Sequence, residues 1–337
     1  MSLLKVEDLK VYYETTRGTN KAVDGISFNL EESQSLGLVG ESGCGKSTTV
    51  KGLVRVMSKN AFIPDGKVMF KDRNLLDLNE KEMNKIRWSD ISLVPQAAMD
   101  SLNPVYTVKN QFLEVMKLKG EMSKKASLNR AKTLFKKVGL NEELLGYYPH
   151  QFSGGMKQRA VIALALALNP NLIITDEPVT ALDVIVQHQI LKELKGLREE
   201  LNISLIMITH DISVVAQTCD QIAIMYAGKI VEKGPANEVL KKPLHPYTMG
   251  LENSFPDITK PNKKLISIEG SPPELISPPA GCRFAVRCPF SEDICFKKEP
   301  ELIKINEKHY SACIHQKNLE ELRAKSREVE TWQKVVS

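Results

Sequence analysis

Residues Gly40-Glu41-Ser42-Gly43-Cys44-Gly45-Lys46-Ser47 fit the pattern G-x-x-x-x-G-K-[ST], and this octad constrains the fold more than any other part of the chain. The pattern works only between a strand and a helix. Ser35 to Val39 is a short apolar run that reads as the strand, and Lys46 to Met57 reads as the helix. Glycines at 40, 43 and 45 let the backbone turn tightly, so that successive N–H groups point inward around phosphate oxygens. The helix N-terminus adds its positive end. Lys46 then reaches the β- and γ-phosphates of a nucleotide, and Ser47 offers its hydroxyl to Mg2+. The nucleotide-binding set runs through Gly40, Ser42, Gly43, Cys44, Gly45, Lys46, Ser47 and Thr48. Strand, glycine turn and helix together open a βαβ unit and predict an α/β fold.

A second apolar strand, Leu172 to Thr175, runs into Asp176 and Glu177. In such sheets ligands bind at the carboxyl ends of the strands. Asp176 is placed to hold Mg2+, and Glu177 is the candidate general base that orients the attacking water. Two acids at a strand end are by themselves only a solvated turn; the phosphate loop upstream gives them meaning.

Elsewhere the chain divides by texture. Residues 3–13 and Ala22 to Leu30 read as an antiparallel hairpin around the polar turn TTRGTN. Residues 97–150 read as a mainly helical insertion. There Ser123 caps a helix with Leu128, Ala131, Leu134, Phe135 and Val138 on one face, and Gly139 closes it. Gly154 to Leu168 is a further helix, stopped by Asn169-Pro170. Asp183 to Leu201 reads as an amphipathic helix and Ile203 to Thr209 as a strand. Gln221 to Tyr226 and Lys229 to Glu232 form a hairpin around Ala227-Gly228. After residue 236 prolines accumulate up to a charged, helical tail, so a boundary is expected near residue 240. The expected domains are 1–240, with a helical part at about 97–158, and an extension over 241–337.

Composition excludes several classes. A net charge of +5 from 46 basic and 41 acidic residues is too weak an excess to argue for nucleic acid. No run reaches the ~18 apolar residues of a spanning helix, and the N-terminus has no signal-peptide core. The expectation is a peripheral protein of the cytoplasmic membrane face, attached through partners. Cys44 and Cys219 stand alone. Cys282, Cys288, Cys295 and Cys313 crowd into the last sixth of the chain, separated by five, six and seventeen residues. In a reducing cytosol such a set binds metal more readily than it forms disulfides. Four thiolates suit either an iron–sulfur cluster or zinc, and the gaps are wider than the C-x₂₋₄-C pairs of structural zinc.

At Phe152-Ser153-Gly154-Gly155-Met156-Lys157-Gln158-Arg159 the chain resembles the signature motif of ABC ATPases, with Phe for the usual Leu and Met156 where Gln is commonest. Ser153 and two glycines at a helix start also make a second anion pocket on their own terms. The resemblance implies roles for other positions. Tyr13, or its neighbour Tyr12, looks like the aromatic that stacks on adenine. Gln96 in Val94-Pro95-Gln96 looks like the glutamine that contacts Mg2+ and the water. Thr180-Ala181-Leu182-Asp183 resembles the D-loop, and His210 the switch histidine at the γ-phosphate. It implies Mg2+ ligation by Ser47, Gln96 and Asp176. It also implies a head-to-tail dimer in which Ser153, Gly154 and Gly155 meet the nucleotide of a second ATPase chain, a paralogue or a copy. The implied architecture is a P-loop NTPase core with an antiparallel β subdomain, a helical subdomain and a small Cys-rich C-terminal extension.

Ser101-Leu102-Asn103-Pro104, Leu244-His245-Pro246-Tyr247-Thr248, Gly270-Ser271-Pro272-Pro273 and the run Gly281 to Pro289 resemble the oligopeptide, dipeptide and nickel importer branch; Val286 replaces its usual Pro. That branch implies a [4Fe–4S] cluster on Cys282, Cys288, Cys295 and Cys313. It implies ATP hydrolysis that drives uptake of a peptide, or of nickel or an oligosaccharide, with two transmembrane permease subunits and an extracellular binding protein. A soluble ABC ATPase of DNA repair or translation fits less well. No long heptad insertion is present, and the chain has one phosphate loop. A redox protein with a degenerate ATPase conflicts with the intact Lys46, Asp176, Glu177 and His210.

Overall fold

The structure, a computed structural model, describes residues 2–120, 122–180, 182–254 and 266–333. The chain forms two compact units. One comprises Met1–Leu4, Leu30–Ser35 and Phe70–Thr209; the other comprises Lys5–Asn29, Leu36–Met69 and His210–Ser337.

In the first unit, strands Ile91–Val94, Leu172–Asp176 and Ser204–Thr209 run parallel, with Leu172 opposite both Ile91 and Ser204. Every residue of the last two strands is buried. A strand covered on both faces has no polar side to alternate with, which is why both read as continuous apolar runs. Each buried Ile or Leu contributes roughly 1.5–3 kcal/mol relative to exposure. The helical stretch holds helices Val108–Leu118, Lys124–Lys137 and Gly154–Ala165. Ser123 Oγ accepts the Ala126 N–H at 3.3 Å. Gly139, at φ 67°, ends that helix in the left-handed conformation a glycine adopts without strain. Ala131, Leu134, Phe135 and Val138 are buried as the spacing predicts, and Phe135 meets Phe112 edge to face at 5.6 Å. Leu128 is only half-buried.

In the second unit, neighbouring strands Ser2–Thr15 and Gly18–Glu31, most of whose length lies here, form the expected hairpin. Its turn is tighter than expected, at Thr16-Arg17. Strand Ser35–Val39 pairs in parallel with Gln221–Tyr226. The latter turns through Ala227 (φ 46°) and Gly228 (φ 83°) into Lys229–Pro235. Two positive φ values in succession are what a type I′ hairpin demands. Residues beyond 240 extend this sheet: Tyr310–Ser311 pairs with Glu232-Lys233, and Ile303–Lys304 pairs with it in turn. Two-residue strands are too short to leave a periodic trace in the sequence. The charged tail is helical, at Leu319–Lys325 and Val329–Gln333.

The helix after the phosphate loop ends at Leu53, short of the expected Met57. Its end is a Schellman motif: the Val56 N–H reaches Lys51 O at 2.9 Å and the Arg55 N–H reaches Gly52 O at 3.2 Å. Arg55, not glycine, takes the left-handed position at φ 53°, so no stop signal is written there. The helix from Gly154 likewise closes at Ala165 rather than Leu168, and Arg130 Nη2 captures the Leu166 carbonyl at 3.1 Å.

Candidate nucleotide site

The phosphate loop uses its glycines as space. A Cβ at Gly40 would stand 2.1 Å from the Met225 carbonyl oxygen and 2.7 Å from Cys44 Sγ. At Gly45, which is also at φ 105°, it would stand 2.3 Å from Ala22 O. Neither position accepts a side chain without moving backbone. Gly45 precedes helix Lys46–Leu53 and leaves the first amides of that helix unclaimed by a side-chain cap. Lys46 is 6% exposed. Its Nζ donates to Gly40 O at 2.6 Å and Glu41 O at 2.8 Å, so the ammonium is tied to the loop that it serves. Cys44 is fully buried beneath the loop, and burial raises its thiol pKa.

Tyr12 and Tyr13 differ sharply. Tyr12 OH donates to Asp24 Oδ1 at 2.6 Å, and its ring packs edge-on against Phe62. Burial, then the Asp24 carboxylate, pushes the Tyr12 hydroxyl up to about 12. Asp24 is also held by Arg283. Burial pushes the Asp24 carboxyl up, but these hydrogen bonds and the nearby Lys229 outweigh it and leave the carboxyl below its usual range. Tyr13 faces the other way, with its hydroxyl 3.3 Å from Thr48 Oγ1 on the phosphate-loop helix. Tyr12 is thus tied to Asp24 and Phe62, and the Tyr13 hydroxyl lies at the phosphate-loop helix.

In the first unit, Asp176 ends its strand 6% exposed. Glu177 follows in a left-handed conformation, φ 51°, and its N–H donates to Ile208 O at 2.9 Å. A non-glycine residue held there is strained, and such strain gathers at functional positions. Glu177 Oε2 accepts from Thr180 Oγ1 at 3.1 Å and, at the long limit of 3.5 Å, from Gln96 Nε2. The parallel register that sets Val94 opposite Thr175 delivers Gln96 to this point. Gln96 and Glu177, 81 residues apart in sequence, therefore converge beside Asp176.

Ser153 is exposed and caps helix Gly154–Ala165, its Oγ accepting from Met156 N–H at 3.3 Å. A Cβ on Gly155 would meet Val186 Cγ1 at 2.9 Å, so the signature glycines also allow close approach to the next helix. That helix, Val184–Leu201, is capped by Asp183, which accepts the Val186 N–H at 3.0 Å. Ala181 lies outside the described residues. His210 follows strand Ser204–Thr209 and is exposed, and Asp211 behind it accepts the Ser213 N–H at 2.8 Å.

Cys282, Cys288, Cys295 and Cys313 line one small cavity, together with His245 and His315. Burial raises the thiols of Cys282 and Cys288 and pushes that of Cys313 up to about 12. Among the described residues, no group of three or more His, Cys, Asp or Glu side chains is arranged to hold a metal ion. One element escaped the sequence reading. Glu232, fully buried, accepts the Leu244 and His245 N–H groups at 2.9 and 2.8 Å and lies 2.7 Å from His309 Nε2. The Leu244-His245-Pro246-Tyr247-Thr248 motif was the only trace of it.

A phosphate loop, a strand-end carboxylate pair with its glutamine, and a capped Ser-Gly-Gly helix define an ATPase of the ABC transporter class. Residues 23–180 match the family described as "ABC transporter", and residues 231–295 match "Oligopeptide/dipeptide transporter, C-terminal region". The dipeptide transport ATP-binding protein DppD of Lactococcus lactis is 46% identical, covering 92% of this chain and 89% of that protein. The oligopeptide transport ATP-binding protein OppD of Escherichia coli is 42% identical over 95% of each. Among solved structures, the ATP-binding cassette MJ0796, as a dimer bound to ADP and Pi, is similar at a TM-score of 0.62 and 29% identity. It covers 69% of this chain and 98% of its own. The chain belongs to the family of dipeptide and oligopeptide ABC transporter ATP-binding proteins.

Proposed function

We propose that this ATPase powers the uptake of short peptides across the cell membrane. The observation that carries the reading is the joint presence, in one chain, of the ABC core and the peptide-transporter C-terminal region at 231–295. Among the described residues no helix is long and apolar enough to cross a membrane. Transport therefore calls for two permease subunits and an external binding protein, with this chain at the cytoplasmic face. Val184 and Ile185, 79% and 81% exposed beside Asp183, supply apolar surface for a second ATPase subunit, a paralogue or a copy. The test is the purified complex in lipid vesicles. Binding protein loaded with a dipeptide is expected to stimulate ATP turnover several-fold; stimulation by nickel or an oligosaccharide but not by peptide would redirect the assignment.

The chemistry follows from residue types. Lys46 and the loop amides hold the β- and γ-phosphates, and Tyr13 stacks on adenine. Asp176, a buried strand-end carboxylate, and Ser47 and Gln96 offer the oxygen ligands that Mg2+ prefers. An Mg2+ held by these residues would supply positive charge to offset that of the phosphates. Glu177 orients a water for in-line attack on the γ-phosphorus. The water oxygen forms the new P–O bond, the bond to the β-phosphate oxygen breaks, and ADP leaves with inorganic phosphate. His210 steadies the γ-phosphate. Ser153, Gly154 and Gly155 serve the nucleotide of the partner subunit. Residues 1–240 form the nucleotide-binding domain, with a helical part at about 97–158, and 241–337 form an extension.

For that extension we propose a [4Fe–4S] cluster held by Cys282, Cys288, Cys295 and Cys313. The support is chemical: four thiols open on one cavity whose other walls include Phe284, Ala285 and Pro246. Burial disfavours ionisation of Cys282, Cys288 and Cys313, so a cationic group is needed to draw out thiolates there. Anaerobically purified protein is expected to hold about four iron and four sulfide per chain, and Cys313→Ser to lose most of both. One zinc per chain and no sulfide would replace the cluster with a zinc site.

A further inference from the structure

Hydrogen bonds from the extension reach the phosphate loop at Glu41. Arg287, 6% exposed, sends Nη1 to Glu41 Oε2 at 2.9 Å and to the Tyr226 hydroxyl at 3.2 Å. Its Nε and Nη2 donate to the carbonyls of Glu269 and Ile268 at 2.8 and 2.9 Å. The guanidinium is thus fixed on three sides before it meets Glu41, and one planar fork spends all its geometry on this contact. A second arm reaches the same residue. Tyr247, fully buried, accepts the Glu41 backbone N–H on its hydroxyl at 3.0 Å. Tyr247 is packed against Tyr226 and Phe284, with ring centroids 4.7 and 5.3 Å away. Glu41 in turn accepts Lys46 Nζ on its carbonyl at 2.8 Å. Residue 41 is therefore held by its side chain, its N–H and its carbonyl at once, and two of these holds come from beyond residue 245.

From this we infer that Arg287 and Tyr247 are positioning residues for nucleotide binding, clamping Glu41 so that the phosphate loop and Lys46 are set before ATP arrives. The inference rests on the reading of residues 40–48 as the nucleotide site. It gives the Leu244–Thr248 and Gly281–Pro289 motifs a task at the phosphate loop. Preorganisation lowers the cost of ordering the loop on binding. It explains why Arg287 makes an ion pair with a loop residue whose side chain is otherwise free to face water. Burial opposes the charge of Arg287, but the bonds to Glu41 and Tyr226 outweigh it and keep the guanidinium firmly protonated.

The test measures affinity of the full-length chain for a fluorescent ATP analogue in Mg2+, with Arg287→Gln, Glu41→Gln and the double variant. Each single change is expected to weaken binding about tenfold, the scale of one charge-assisted hydrogen bond. The double variant is expected to be no worse than either single one, because both remove the same contact. Tyr247→Phe keeps the ring and its packing and removes only the hydroxyl; about fivefold weaker binding is expected. Effects of Arg287→Gln and Glu41→Gln that simply add would make Arg287 a fold residue acting elsewhere. Wild-type affinity in Tyr247→Phe and Arg287→Gln alike would remove the clamp. Wild-type protein that binds no nucleotide would instead overturn the site itself.

Discussion

Glu177→Gln is expected to lower ATP turnover by about 10²- to 10⁴-fold, the range in which a positioned general base contributes. The substitution keeps size and shape, so the hydrogen bond from Thr180 Oγ1 at 3.1 Å can persist on the amide oxygen. What disappears is the carboxylate that aligns and deprotonates the water. Nucleotide binding should survive, since Lys46 and the loop amides are untouched. ATP-bound dimer is therefore expected to accumulate, visible by size-exclusion chromatography in Mg·ATP. Turnover within a few-fold of wild type would move the base elsewhere. The left-handed backbone at Glu177 favours neither variant, so the comparison isolates the charge.

The second large effect concerns Lys46→Met, which retains the side-chain stem and removes the ammonium. Affinity for ATP is expected to fall about 10²- to 10³-fold. A charge-assisted contact to phosphate in a shielded site is worth several times a neutral hydrogen bond. Two further acceptors, Gly40 O and Glu41 O, lose their donor. Part of the loss is thus a loosened loop rather than a missing phosphate contact. Binding measured by fluorescence or calorimetry checks it. Affinity for ADP should fall less than that for ATP, because Lys46 serves the γ-phosphate as well. Equal losses for both nucleotides would place the ammonium at the β-phosphate alone.

Local chemistry made much of this protein readable. Gly139, Ser123 and Asp183 mark helix ends because capping depends on one or two residues next to each other. The buried strands announce themselves as unbroken apolar runs. Where a residue acts against its type, the trace vanishes. Arg55 performs the glycine's part at a helix end, and the helix stops at Leu53, four residues before the expected Met57.

The sequence alone determined the phosphate loop, the strand-end acids and the Ser-Gly-Gly cap, since each is a contiguous run whose backbone geometry sets its chemistry. It could not show that Tyr12 turns to Asp24 and Tyr13 to Thr48; that depends on which face of the strand each neighbour meets. Nor could it join Glu41 to Tyr247 and Arg287, 206 and 246 residues away. Contacts across such distances carry no local signature, because they exist only once the sheet has brought the extension and the loop together. Tertiary packing alone decided them, just as it set His245 beside the cavity that the four clustered cysteines line.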